Sequence, residues 1–488
     1  MQKHDIAGVK SRLTRIFTAN KGAALPAVLM VMLVIMALSG GVISLVTSQT
    51  KEEAYYENNI TALHAAEAGL NQFLWSLNKY GSTPLEFEKV FQYPESKSVA
   101  AFRLDGINDN GYIKIVKSTA WMIADPSVKR SVTATYTKRG FAQYIYFSDS
   151  EATKDNKIWW TSNDVCYGPY HTNETLRING SPVFWGKATS VGGIEYESST
   201  TNNPQFNGGY QQVSEPLPMP SDNNELKYYG QSSDGYYFTG ITRIMLNTDG
   251  TMNVINRDTD LGKMALPKNG VIYVDNMTGS SENSIFDKEN GNVFISGVLD
   301  GRLTVGAKND IFITGYNPTK STYSESTATN GLTYKDTKIT MTMVGGKPVL
   351  DDNDDLIGTE NGDMLGLISY RNIAVLTEGW FGDGNGAKDT SRKNFSIYAA
   401  MLAIHGSFGN SKQMYSSGSS LPAGGGVLTV RGSIAQEVRG PVGLISGGKI
   451  TSGYQKDYAH DPRMIYDQPP YFLDPEGSGW EITDWTEG

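Results

Sequence analysis

The chain has 488 residues, with 53 Gly, 27 Tyr, 19 Pro, a single Cys and a formal charge of −9 at pH 7. Its length exceeds one ordinary domain of about 100–200 residues and predicts two or three units or one large repetitive one. The lone Cys166 excludes an intrachain disulfide scaffold. Lys3, Lys10, Arg12, Arg15 and Lys21 against Asp5 gather positive charge in residues 1–22 and leave the remainder at −13, which excludes nucleic-acid binding by the main body.

The basic leader, residues 1–22, runs into 24 uncharged residues, Ala23–Val46. As a helix rising about 1.5 Å per residue, that run exceeds the roughly 30 Å hydrocarbon core of a bilayer, so it is long enough to span one. Basic residues before it, with Lys51, Glu52 and Glu53 after it, predict a cytoplasmic N-terminus and an external bulk. A cleaved secretory signal has an apolar region of only about 7–15 residues, and the polar sequence that follows here reads as the same helix continuing. Ala54, Ala62, Leu63, Ala65, Ala66, Leu70, Phe73, Leu74 and Leu77 recur at spacings of three and four, which puts them on one face. The expectation is a single helix over 23–80, roughly 80 Å long, with its membrane span at 23–46.

Lys21-Gly22 followed directly by the apolar run resembles the processing site of a type IV prepilin. Further along, Leu63-His64-Ala65-Ala66-Glu67-Ala68-Gly69-Leu70 resembles the AAEAGL signature of PilX-like pilus assembly proteins. The resemblance implies that a prepilin peptidase cuts between Gly22 and Ala23, and that Ala65, Ala66, Glu67, Ala68, Gly69 and Leu70 are the family signature. It also implies other pilins and the pilus assembly machinery as partners, and a place at the cell surface or in a pilus. Major pilins carry glutamate at the fifth mature position, where this chain has Ala27. An amine left unpaired in lipid is costly, so the resemblance implies a minor, tip or priming subunit rather than a repeating one. The alternative is a plain signal-anchor helix that spaces a surface body from the membrane, unrelated to pili.

Glycine and asparagine supply turns and aromatics favour strands, so residues after the first eighty are expected to be mainly β. Residues 81–140 are predicted as a small β region packed on or following the helix, since Tyr112–Val116 and Ser131–Tyr136 alternate with period two. From Phe141 to the end, 141–488, short apolar runs are separated by Gly, Asn and Asp: Val271–Val274, Val293–Gly297, Leu303–Gly306, Ile311–Gly315 and Leu428–Gly432. Such units suit a sandwich, a barrel or, the reading favoured here, a right-handed parallel β-helix. Tyr167-Gly168-Pro169-Tyr170-His171-Thr172-Asn173, and the stretches Gly432–Gln436, Arg439–Gly443 and Pro469–Phe472, are similar to parts of large Gram-positive surface proteins with the same N-terminus.

No catalytic, cofactor or metal site is predicted. His171, near Asn173, Glu174 and Cys166, is read as a turn residue bonding the backbone or stacking in a ladder, and Cys166 as a small buried side chain. Asp351-Asp352-Asn353-Asp354-Asp355 lacks the glycine and distal glutamate of an EF-hand loop and reads as a solvated loop or a weak calcium ligand set. Trp159-Trp160 with Tyr167, Tyr170 and Trp185 is either core or a surface for carbohydrate or another ligand. The expectation is therefore a structural and interaction protein, not an enzyme. The alternative is an anchored, polysaccharide-active β-helix enzyme.

Overall fold

A computed structural model describes residues 24–80, 87–92, 98–109, 113–153, 156–278, 287–320, 325–341, 343–344, 347–348, 358–360, 362–376, 394–415, 426–446 and 449–488. They fall into two compact units, one within Met1–Ile107, Ile115–Thr135 and Ile482–Gly488, the other within Asn108–Lys114 and Tyr136–Glu481.

The first unit is built on one helix, α1 (Ala24–Tyr80), of 57 residues. Its first half is apolar enough to cross a membrane, and every residue from Ala24 to Glu57 is exposed. Where the apolar run ends, Thr47 and Thr50 donate their hydroxyls back to the carbonyls of Ile43 and Val46, both at 2.7 Å, so neither hydroxyl needs water. The second half behaves differently. Ala62, Ala65, Ala66, Gly69, Leu70, Phe73, Ser76 and Leu77 are buried, and their spacing of three and four is one helical stripe.

That stripe meets a sheet of β1 (Phe87–Gln92), β2 (Ser98–Asp109), β3 (Ile113–Met122), β4 (Lys129–Lys138) and the final strand Trp480–Glu487, in that order. Val116, Ser118, Ala120 and Met122 of β3 are buried alternately, as a half-buried strand requires. A Cβ on Gly69 would lie 2.7 Å from both the Phe102 ring and the Ser118 hydroxyl, so glycine sets how closely α1 approaches β2 and β3. The last residues join this unit through Gly488 N, which donates to Ser131 O at 2.9 Å, and through an Arg130–Glu487 ion pair.

In the second unit, short strands lie beside one another in parallel ladders. One ladder reads, neighbour by neighbour, Tyr236–Thr239, Val271–Asp275, Arg302–Ala307, Met364–Ser369, Phe395–Ala403, Val427–Val438, Tyr146–Ser150, Tyr170–Thr172, Ala188–Ser190 and Tyr210–Gln212. Its register aligns Ile272, Val305, Leu367, Met401, Ile434, Tyr146, Tyr170 and Ala188 in a single buried row. Strands about 4.8 Å apart bring like side chains into contact, which is why a short apolar run at each level builds one continuous core. Gly297 marks a corner: it pairs with Leu246 in one ladder and Leu332 in another, at φ 112. A Cβ there would sit 2.2 Å from Leu246 O.

Spatial order and chain order differ. Residues 146–212 supply the last levels of the stack, the chain then returns to Tyr236–Thr239 at the opposite end, and 236–460 fill the levels between. The returning segment leaves a trail of bonds. Asn173 Nδ2 donates to Leu217 O (2.8 Å), His405 Nε2 donates to Ser221 O (2.9 Å), and Asn223 bonds Ala307 O (2.8 Å) and the Tyr273 hydroxyl (2.9 Å). Leu217 and Leu226 of that segment, with Met464 and Phe472, cover the outer apolar row that contains Tyr273, Ile368, Leu402, Ala435 and Phe147.

The sequence reading foresaw the strands at Val271, Val293, Leu303, Ile311 and Leu428. It did not foresee the antiparallel run Thr242–Leu246, Thr251–Asn256 and Thr259–Ala265, whose turns use Gly250 at φ 70 and Arg257 at φ 53. The turn signal Asp249-Gly250 was present in the sequence.

Candidate functional site

Of the residues singled out in sequence, Gly22 and Ala23 lie outside the described residues, as do Asp351, Asp352, Asn353, Asp354 and Asp355. In the signature, Ala65, Ala66, Gly69 and Leu70 are buried while Glu67 and Ala68 are half-buried, so four of its six positions pack the helix on the sheet. His171 stacks on Phe147, its in-register neighbour, with ring centres 5.6 Å apart. Its Nε2 lies 2.9 Å from Asn173 Oδ1 and its Nδ1 2.8 Å from Thr189 Oγ1, and burial holds its pKa below the ordinary value. Cys166 is buried and burial pushes its thiol pKa up, the reverse of a reactive thiol. Among the described residues, no group of three His, Cys, Asp or Glu side chains is placed to hold a metal.

A buried polar arrangement lies where the strand Val427–Val438 meets Tyr146–Ser150. Arg439 and Glu151 are 2 % and 0 % exposed, and Arg439 Nη1 donates to Glu151 Oε2 at 2.7 Å. The guanidinium also lies 4.4 Å from the centre of the Trp160 ring. Glu151 accepts further bonds from the Tyr170 hydroxyl (3.1 Å) and from Ser148 Oγ. Burial is the largest influence on Arg439 and opposes its charge, but Glu151, Tyr146, Asp164 and Tyr170 together outweigh burial and keep it cationic.

A cavity of about 540 Å³ opens beside this pair. One wall is the turn after strand Trp160–Thr161, where Thr161 N and Oγ1 donate to Asp164 Oδ2 at 2.8 and 3.1 Å. Asp164 Oδ1 accepts from Lys456 Nζ at 2.8 Å. Burial alone would raise the Asp164 pKa, yet Lys456 and Arg439 together hold it below the usual carboxylate range. Half-buried Trp159 also lines the cavity, with Asn179 and Pro441. Among the described lining residues Asp164 is the one carboxylate, and both of its oxygens are engaged. Of the predicted aromatic cluster, Trp160 and Tyr170 are thus core, and Trp159 lines the cavity. Sequence reasoning missed Arg439, Glu151 and Lys456 as a group because the two ion pairs join residues 288 and 292 positions apart.

Residues 124–193, which hold Glu151, Trp159, Trp160 and Asp164, match a family described as a domain of unknown function, DUF4900. No curated protein matches the chain. Among solved structures, the competence-associated pilin ComZ from Thermus thermophilus is similar at 12% identity over 88% of this chain and 97% of that one, with a TM-score of 0.26. A superposition that loose carries neither a fold nor a role across.

Proposed function

We propose that the chain is a pilin-like surface protein, anchored by its N-terminal helix and displaying its β-rich body outside the cell as a minor, tip-like or priming component of a type IV pilus system. The observation that carries this reading is the division of α1: one continuous helix, wholly exposed and apolar in its first half and buried on a small sheet in its second. An element exposing that much apolar surface needs lipid or neighbouring helices around it. The prepilin-like Lys21-Gly22 and the AAEAGL-like stretch before the sheet support the same reading. The parallel ladders support a parallel β-helix for the body. The body acts by binding rather than by catalysis, and its assembly partners are other pilins, the prepilin peptidase and the membrane through 23–46.

The test is the N-terminal residue and mass of the protein recovered from its host's membrane and sheared-surface fractions, with and without the prepilin peptidase. The expected result is a mature N-terminus at Ala23 that appears only when the peptidase is present. An intact Met1, or cleavage beyond Val46, overturns the pilin reading.

A further inference from the structure

We propose that the cavity lined by Trp159, Asn179 and Asp164 is a binding site for a neutral saccharide. This deepens the surface-display reading and rests on it only for placing the cavity outside the cell. At about 540 Å³ the cavity lies within the roughly 300–1,000 Å³ of small-ligand sites.

The charges around it decide the class of ligand. Three cationic side chains line it, and each is matched: Arg439 by Glu151 at 2.7 Å, Lys456 by Asp164 at 2.8 Å, and Lys157 by Glu195. An anion would have to compete with a carboxylate already in place, and a cation with a lysine or arginine already in place. A polyol displaces none of these pairs. Its hydroxyls find the Asn179 amide, which offers both donors and an acceptor, and the Ser162 hydroxyl, which accepts from Ser181 N at 3.0 Å and retains its own proton to donate. Half-buried Trp159, over whose ring Lys157 Nζ lies 6.0 Å from the centre, supplies the aromatic surface on which the C–H face of a sugar ring rests. The walls are fixed before a ligand arrives: Asp164 is tied to Thr161 and Lys456, and Arg439 is tied to Glu151 and, through its backbone N–H, to Ser150 O at 2.9 Å. Such preorganisation lowers the ordering cost of binding.

The experiment uses the full chain in a zwitterionic detergent, because a maltoside headgroup is itself a candidate ligand. Cellotetraose, maltotetraose and the tetramer of N-acetylglucosamine are titrated to about 10 mM, with inorganic phosphate and glucuronate as charged comparisons, and binding is read by tryptophan fluorescence and saturation-transfer NMR. At least one neutral tetramer is expected to bind saturably. Trp159→Ala should weaken that binding about tenfold, and Asn179→Ala should weaken it less, with unchanged melting. Trp159→Phe, which keeps a ring in place, should retain most of the affinity and serves if Trp159→Ala does not fold. The proposal is overturned if the folded chain binds none of the three tetramers, if only phosphate or glucuronate binds, or if binding is indifferent to Trp159 and Asn179. Binding is measured on purified chain, so it succeeds or fails independently of leader processing.

Discussion

Replacing Arg439 by Met tests whether the body depends on a buried charge pair. Arg439 is 2 % and Glu151 0 % exposed, so the substitution leaves a buried carboxylate without its direct partner, facing only the more distant Lys456, which is itself paired with Asp164. Removing one partner of such a pair costs about 3–5 kcal/mol, a large share of the roughly 5–15 kcal/mol by which a domain is stable. Methionine keeps apolar contact with Trp160, whose ring centre lies 4.4 Å from the guanidinium, so little of the loss comes from packing. The second arm adds Glu151→Gln. The amide oxygen still accepts from the Tyr170 hydroxyl and Ser148, and the stranded charge is gone. The double variant should therefore recover at least about 2 kcal/mol relative to Arg439→Met alone. Urea unfolding followed by tryptophan fluorescence gives both numbers, since Trp160 sits in the same interior. A single variant within about 1 kcal/mol of the parent, or a double variant no more stable than the single, refutes the reasoning.

Two further outcomes follow from packing and titration. Gly69→Val forces a side chain against Phe102 and Ser118, both buried, and should destabilise the helix-and-sheet unit by about 1–3 kcal/mol in thermal melts, while an unchanged melt would show that β2 and β3 yield freely. His171 and His460 are 3 % and 4 % exposed, and burial holds both pKa values below the ordinary value of about 6.5. Their neutral forms fit the fold, His460 Nε2 donating to Ala142 O at 2.8 Å. Stability is thus complete above about pH 6.5 and falls as the pH drops toward the folded-state values, because the unfolded chain takes up protons first. Urea midpoints at about pH 7.5, 6.5 and 5.5 should decline in that order, and His460→Gln should flatten the decline; a flat profile in the parent contradicts this.

What the sequence revealed was local. The apolar run, the spacing of Ala62 to Leu77 and the position of Gly69 sufficed for α1, because a helix is written in residues three and four apart. The apolar runs before Gly297, Gly306 and Gly432 were legible because a strand is written in adjacent residues, although the strands run on through those glycines to Leu299, Ala307 and Val438. The order of the levels was not, since nothing near Val427–Val438 announces that its neighbour is Tyr146–Ser150. The cavity depends on that order. Trp159 was noticed among several aromatics, but only the meeting of residues 157–164 with Arg439–Gly443 and Lys456 separates it from Trp160, which looks identical in sequence and is core.

The placement of Tyr146–Ser150 beside Val427–Val438 bears on how the body matures. A chain emerging from its N-terminal end delivers the early levels first, with the Tyr146, Trp160 and Tyr170 aromatic stack uncovered on one side and Glu151 without its arginine. Only when the distant strand arrives are that stack sealed and the charge matched. The body thereby closes its interior only when both ends of its sequence are present: a fragment ending before Val427 leaves that stack and Glu151 uncovered.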